Sequence, residues 1–216
     1  SHLLVAAGRT PQLDGLDLDK AGIVFGPRGI AVDAGLRTSN PRVFAIGDAA
    51  GGAQFTHVAG AHAGIVIRRA LFRLPARAPA PDRVPRVTYT DPELAQIGLT
   101  EAEARARHSE VRVVSWPFAE NDRARAERDT DGVVKLVATP RGKLLGAGIA
   151  GAQAGETIQP WALALAKGIG LRDMAGLILP YPTRGEAGKR AAGEFFRDAL
   201  FAPRTRRLLR WLARLG

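Results

Sequence analysis

The chain has 216 residues, 46% of them hydrophobic, enough to bury the core of one large domain or two modest ones. It has no cysteine, which excludes a disulfide framework and cysteine–zinc sites, and no window approaches the roughly 20 uncharged apolar residues of a membrane span. The net charge of +10 comes mostly from arginine spread along the chain, and we read it as solvated faces rather than a nucleic-acid surface.

In chain order, Leu3-Leu4-Val5-Ala6-Ala7 is an apolar run ending in Gly8-Arg9-Thr10-Pro11, the pattern of a buried strand and its turn. Such a strand needs neighbours on both edges, and Gln12 to Lys20 are turn-like. The opening therefore reads as the middle of a domain, and the chain as the C-terminal portion of a longer protein. With no basic segment or cleavage pattern at its start, it is expected to be cytoplasmic. Gly22-Ile23-Val24-Phe25 and Gly29-Ile30-Ala31-Val32 flank Gly26-Pro27-Arg28 and predict a β-hairpin.

The stretch Thr38 to Asp48 follows. Ser39, Asn40 and Pro41 are turn formers, Val43-Phe44-Ala45-Ile46 is the pattern of a strand buried on both faces, and Gly47-Asp48 ends it. Asp48 is thereby expected at the carboxyl end of a buried strand, where open α/β sheets bind ligands. On spacing alone, a ligand site and a simple turn cap stand level. Phe55-Thr56-His57-Val58-Ala59 opens a helix running to Phe72, with small residues on its early turns and free N–H groups at its start. His57 and His62 read first as surface or helix-packing residues, and no metal-ligand set is seen.

Leu74 to Pro85 is rich in Pro, Ala and Arg, a semi-rigid linker in composition, so the domains are placed at 1–82 and 83–216. The second reads as a mixed unit. Arg86 to Thr90 is a strand, Thr100-Glu101-Ala102-Glu103 carries the capping box of a helix to about Arg107, and Val111 to Trp116 is a strand. Asp129-Thr130-Asp131-Gly132 turns into a strand over 133–138, Pro140 to Lys143 makes a hairpin turn, and Leu144 to Ala150 returns. Gly155 to Lys167 is an apolar helix closed by Gly168, and Ala187 to Leu200 is a further helix. This predicts an antiparallel sheet with helices on one face. The spaced glycines of 146–156 lack the acidic residue of a dinucleotide fingerprint about 20 positions on. Past Pro203, arginines surround Leu208, Trp211, Leu212 and Leu215 at helical spacing; we expect this basic amphipathic helix to dock on its own protein rather than on a membrane surface.

The segment T-S-N-P-R-V-F-A-I-G-D at 38–48 closely resembles the second flavin-binding motif of the two-dinucleotide flavoprotein reductases. Residues 6–11 resemble the segment that closes that family's NAD(P) domain. Tyr89–Glu101, Asp129–Leu136 and Leu144–Glu156 resemble the dimerisation domain of the class I pyridine nucleotide-disulfide oxidoreductases, the family of dihydrolipoamide dehydrogenase, glutathione reductase and mercuric reductase. The resemblance implies an α/β nucleotide-binding remnant followed by an α+β dimerisation domain. It implies FAD held by Asp48, with Gly47 as the close-approach glycine, Gly8 among the cofactor-binding residues, and Phe55, Thr56 and His57 at the flavin edge. It implies NAD(P)H as the reductant in the full-length enzyme, a small-molecule or disulfide substrate, and a homodimer formed through residues 83–216. The fragment alone is expected to be inactive, and a non-catalytic dimerisation module is the alternative. The family's H-x-H-P-T-x-x-E signature aligns with 179–186. Pro182, Thr183 and Glu186 match, but Tyr181 stands where the family has its catalytic His, and no cysteine pair is present to replace it. Tyr181 and Glu186 are the candidate catalytic residues. A Tyr titrates near 10 where a His titrates near 6.5, so at neutral pH it is a hydrogen-bonding group rather than a proton shuttle.

Overall fold

The computed structural model describes residues 1–214 and divides into two compact units, Ser1–Pro81 and the remainder from Asp82.

In the first unit, strands β1 (Phe25–Gly26) and β2 (Gly29–Ile30) form the expected hairpin, pairing Phe25 with Ile30. Helix α1 spans Thr56–Ala70. Leu18, Ile23, Ile30 and Ala45 make a small core, with Val32, Val43 and Ala50 packed against it. Two strand expectations fail. Leu3, Leu4 and Val5 lie exposed and unpaired with any sheet, and 43–46 forms a single antiparallel bridge, Phe44 to Arg37. The reason is the one that made the opening suspect: an apolar run becomes a buried strand only with partner strands on its edges. Asp48 therefore does not end a strand. It sits in the 3-10 turn Gly47–Ala50.

The motif's polar residues hold the segment in place of a ladder. Ser39 Oγ donates to the Gly22 carbonyl at 2.8 Å and accepts from the Val24 N–H at 2.9 Å. Asn40 Nδ2 donates to the Ala21 carbonyl at 2.8 Å, and the buried Thr38 hydroxyl donates to the Asn40 and Val43 carbonyls. These side chains stitch the hairpin's approach to the turn carrying Asp48.

The second unit contains β3 (Arg86–Thr88), β4 (Leu94–Gly98), α2 (Glu101–Arg107), β5 (Arg112–Pro117), α3 (Asp122–Glu127), β6 (Gly132–Ala138) and β7 (Leu144–Gly151). Helices α4 (Ala154–Thr157), α5 (Gln159–Lys167), α6 (Leu171–Gly176), α7 (Glu186–Glu194), α8 (Arg197–Leu200) and α9 (Pro203–Leu212) follow. The five strands form one antiparallel sheet in the order β3-β4-β7-β6-β5. Side chains alternate between its faces. Ile97, Val134, Leu136, Ala147 and Ile149 meet Ile158, Trp161, Leu171, Ala187 and Ala191 in the main core. Val137 and Leu145 point the other way and meet Ala104 of α2, so helices cover both faces rather than one.

Helix α2 begins where its capping box predicts. The Thr100 N–H donates to Glu103 Oε2 at 2.8 Å and the Glu103 N–H to Thr100 Oγ1 at 3.3 Å. The long apolar helix expected over 155–167 divides at Ile158 because Pro160 has no N–H to continue the first segment and instead opens α5. The helix expected over 187–200 likewise stops at Glu194, where Phe195 turns into the core.

Candidate functional site

The structure places the candidate residues in two separate sites, one in each unit.

In the first unit, Gly47 is buried with φ of 61°, a left-handed conformation that glycine adopts at little cost. A Cβ there would lie 3.1 Å from the Ala59 methyl, so the small residue also lets α1 approach. The Gly47 N–H donates to Nδ1 of His62 at 3.2 Å, which ties the turn to α1. His62 is only 7% exposed, and burial lowers its pKa, keeping the imidazole neutral and able to accept. Sequence reasoning took His62 for a packing residue; its role as acceptor for the G-D turn depends on a contact 15 residues away. Asp48 itself is exposed, with its carboxylate facing solvent beside this fixed turn.

Helix α1 starts close by in sequence. Phe55 is its N-cap, no side chain caps it, and the Phe55 and His57 rings stack at 5.1 Å. Thr56 and His57 are exposed at the N-terminal end of α1, the positive end of its dipole. Arg9 Nη1 donates to the Gln54 carbonyl at 3.1 Å, bringing the Gly8-Arg9 turn to the loop before α1. A cavity of about 760 Å³ opens among Arg9, Phe25, Arg28, Gly51, Gly52 and Gln54. Gly8 has a left-handed φ of 83° but is exposed with open space around it, so no close approach within this chain requires it. A carboxylate acceptor, a glycine turn and the positive end of a helix suit a ligand that offers several hydroxyls and a polar ring edge. The ribityl chain and ring of FAD have those groups.

The second site is the segment 180–186 laid against α3. The Tyr181 hydroxyl donates to Asp122 Oδ2 at 3.1 Å, and the Asp122 carboxylate holds its pKa above the ordinary value. Glu186 accepts from the Thr183 N–H at 3.3 Å and so ties the loop to the first residue of α7. Tyr181 and Glu186 thus have different hydrogen-bond partners, unlike the His–Glu pair that the motif suggested. The single Tyr proton is engaged by Asp122, so the exposed phenol oxygen presents an acceptor to its surroundings.

Two buried side chains, Asn121 and Arg184, fix this segment. Asn121, 4% exposed, donates from Nδ2 to the Thr183 carbonyl at 3.0 Å while its Oδ1 accepts from the Ala124 N–H and caps α3. Arg184 is 5% exposed. It donates from Nε to Glu127 Oε2 at 2.9 Å, from Nη2 to Asp129 Oδ2 at 3.0 Å and from Nη1 to the Asp129 carbonyl at 3.2 Å. Its guanidinium lies 5.7 Å from the centre of the Phe118 ring. None of Asn121, Asp122, Glu127 or Arg184 was singled out from sequence. Each partner lies 55 to 62 residues from the loop it holds, a separation that no local pattern reports.

Comparison with known proteins follows this division. Residues 1–63 match the family model described as pyridine nucleotide-disulphide oxidoreductase, and residues 84–192 match the dimerisation domain of the same family. A dihydrolipoyl dehydrogenase of Bacillus subtilis is 37% identical over 86% of this chain and 40% of its own length. A mercuric reductase of Streptomyces lividans is 41% identical over 92% of this chain and 42% of its own. Among solved structures, the HOCl-induced flavoprotein disulfide reductase RclA of Escherichia coli superposes with a TM-score of 0.79 at 28% identity, covering 87% of this chain and 44% of that one. LpdA of Mycobacterium tuberculosis gives 0.80 at 26% identity, covering 85% and 40%. The chain therefore spans about two fifths of the length of these relatives. With the dimerisation-domain match alone running over half of its 216 residues, and the five-stranded antiparallel sheet in place, the chain belongs to the pyridine nucleotide-disulphide oxidoreductases.

Proposed function

We propose that this chain is part of an FAD-dependent, NAD(P)H-linked oxidoreductase, and that it contributes one wall of the FAD site and the surface through which two subunits pair. When bound, the flavin supplies electron transfer between NAD(P)H and a disulfide or other acceptor. The chain's own residues bind and orient. Asp48 accepts hydrogen bonds from ligand hydroxyls, and the positive end of the α1 dipole favours the polar ring edge. Tyr181, held by Asp122, offers its phenol oxygen across the subunit interface. The observation that carries the reading is the G-D turn of 47–48, fixed by His62 and leaving the Asp48 carboxylate in the open. The domains of this reading are 1–82 for the nucleotide-binding part and 83–216 for dimerisation.

One experiment tests both sites, with two variants of the full-length protein. Asp48→Ala removes a charged acceptor worth about 1.5–3 kcal/mol, so flavin should dissociate roughly tenfold to a hundredfold more readily on dilution. Equal flavin retention by variant and parent rejects Asp48 as a ligand. Tyr181→Phe should keep its flavin and its dimer but lose turnover by roughly tenfold to 10²-fold, at or below the low end of acid–base effects because the phenol does not shuttle its proton. Unchanged kinetics with every acceptor tried would make Tyr181 a surface residue held by Asp122 and nothing more.

A further inference from the structure

Helix α9, expected to dock on its own protein, lies open in this chain. None of its residues is buried. Leu208, Leu209, Trp211 and Leu212 are 46–57% exposed, and Leu200 and Phe201, just before the helix, are 59% and 61% exposed. The helix is attached through the Thr205 hydroxyl, which donates to the Ala199 carbonyl at 2.6 Å. At about 100° per residue, Trp211, Leu208, Leu212 and Leu209 fall within roughly 160° of arc. Arg206, Arg207 and Arg210 occupy the opposite arc, Arg214 follows just past the helix, and Arg204 falls on the apolar side one turn before Leu208.

From Ala199 to Arg214 there are five arginines and no acidic residue. That composition decides between occupants. A second copy of the helix would bring five like charges against five with no carboxylate to pair them, so self-association of this face is opposed. Nucleic acid would satisfy the arginines but leave four large aliphatic and indole surfaces facing polar grooves. An anionic bilayer satisfies both arcs. The leucines and Trp211 enter the boundary between headgroups and acyl chains, and the arginines extend along the surface to lipid phosphates. At ten residues the helix is about 15 Å long, which suits lying in the interface and is far too short to span it.

We infer that α9 is a reversible anchor for the surface of an anionic lipid bilayer, and that the face left open in the structure is the one that enters it. The test is sedimentation of the whole chain with vesicles of phosphatidylcholine alone or of phosphatidylcholine mixed with phosphatidylglycerol. The chain should pellet with the mixed vesicles at physiological ionic strength, with Trp211 emission shifting to shorter wavelength. It should release at about 1 M salt, where the screening length is about 3 Å. Replacing Arg206, Arg207 and Arg210 by Gln should weaken partitioning on the order of a hundredfold. Leu208→Gln with Leu212→Gln should abolish the emission shift and most of the binding. Both sets alter exposed side chains, so circular dichroism should be unchanged. No binding to mixed vesicles overturns the inference. So does binding that survives the two leucine changes, because adsorption by charge alone would then explain it. A duplex DNA competitor that binds the leucine variant as tightly as the parent, and strips the parent from vesicles at equimolar charge, would identify the surface as a nucleic-acid site instead.

Discussion

Phe118→Ala should cost the second unit about 3–5 kcal/mol, a large part of the roughly 5–15 kcal/mol that holds an ordinary domain. Phe118 is fully buried in the 3-10 turn Phe118–Glu120, between β5 and α3. One side of its ring lies against Gly151, at the end of the central strand β7, where a Cβ would come within 2.7 Å of Cε2. The Arg184 guanidinium approaches the ring as well. Truncation therefore opens a cavity that the sheet cannot close from the β7 side without displacing a strand paired on both edges. Chemical denaturation of the chain, followed by far-ultraviolet circular dichroism, should show the midpoint fall with little change in slope. A loss below about 1 kcal/mol would mean that the site collapses around the missing ring.

Arg184→Met should have the next largest effect, for a different reason. The side chain is 3% exposed and spends its hydrogen bonds on Glu127, Asp129 and the Asp129 carbonyl. Removing one partner of a buried ion pair commonly costs about 3–5 kcal/mol, most of it from the charge left behind. Here the carboxylates keep water, with Glu127 and Asp129 side chains 30% and 47% exposed, so they rehydrate. We expect about 2 kcal/mol for Arg184→Met, below that range. Arg184→Lys should recover little, since an ammonium cannot make the three directed bonds of the guanidinium fork. The same denaturation measurement checks both. Full recovery by Lys would show that charge alone, rather than the fork, holds the 180–186 loop to α3.

These two residues also mark what was legible in the sequence. Local signals gave local structure. The capping box at Thr100 and Glu103 set the start of α2, and Asp131-Gly132 set the start of β6. Strand β4 was missed because Leu94-Ala-Gln-Ile-Gly is short, has Gln96 in its middle and follows Pro92. Helix α3 was missed because Asp-Arg-Ala-Arg-Ala-Glu has no apolar period; its stability comes from the Asn121 cap and the contacts of Ala124. The runs at 3–7 and 43–46 were over-read, since hydrophobicity says that a segment is buried or paired somewhere but not by what. The motif residues Asp48, Tyr181 and Glu186 were legible as members of patterns. The contacts that fix them were not: the fold alone brings His62 to Gly47, Asp122 to Tyr181, and Glu127 and Asp129 to Arg184.

The bond from the Gly47 N–H to His62 has a consequence for acidic conditions. Nδ1 can accept only while it carries no proton, so the turn that presents Asp48 is tied to α1 only by a neutral imidazole. Burial makes the folded chain hold the His62 proton more weakly than the unfolded chain does. The contribution to stability is therefore complete above the unfolded value near 6.5, and declines as the pH falls from there through the lowered folded value. Mild acid should loosen the Asp48 turn first through this one ring. A proton-resonance titration of His62 should give a midpoint below 6.5, and a midpoint at the unfolded value would show that the ring does not close the turn.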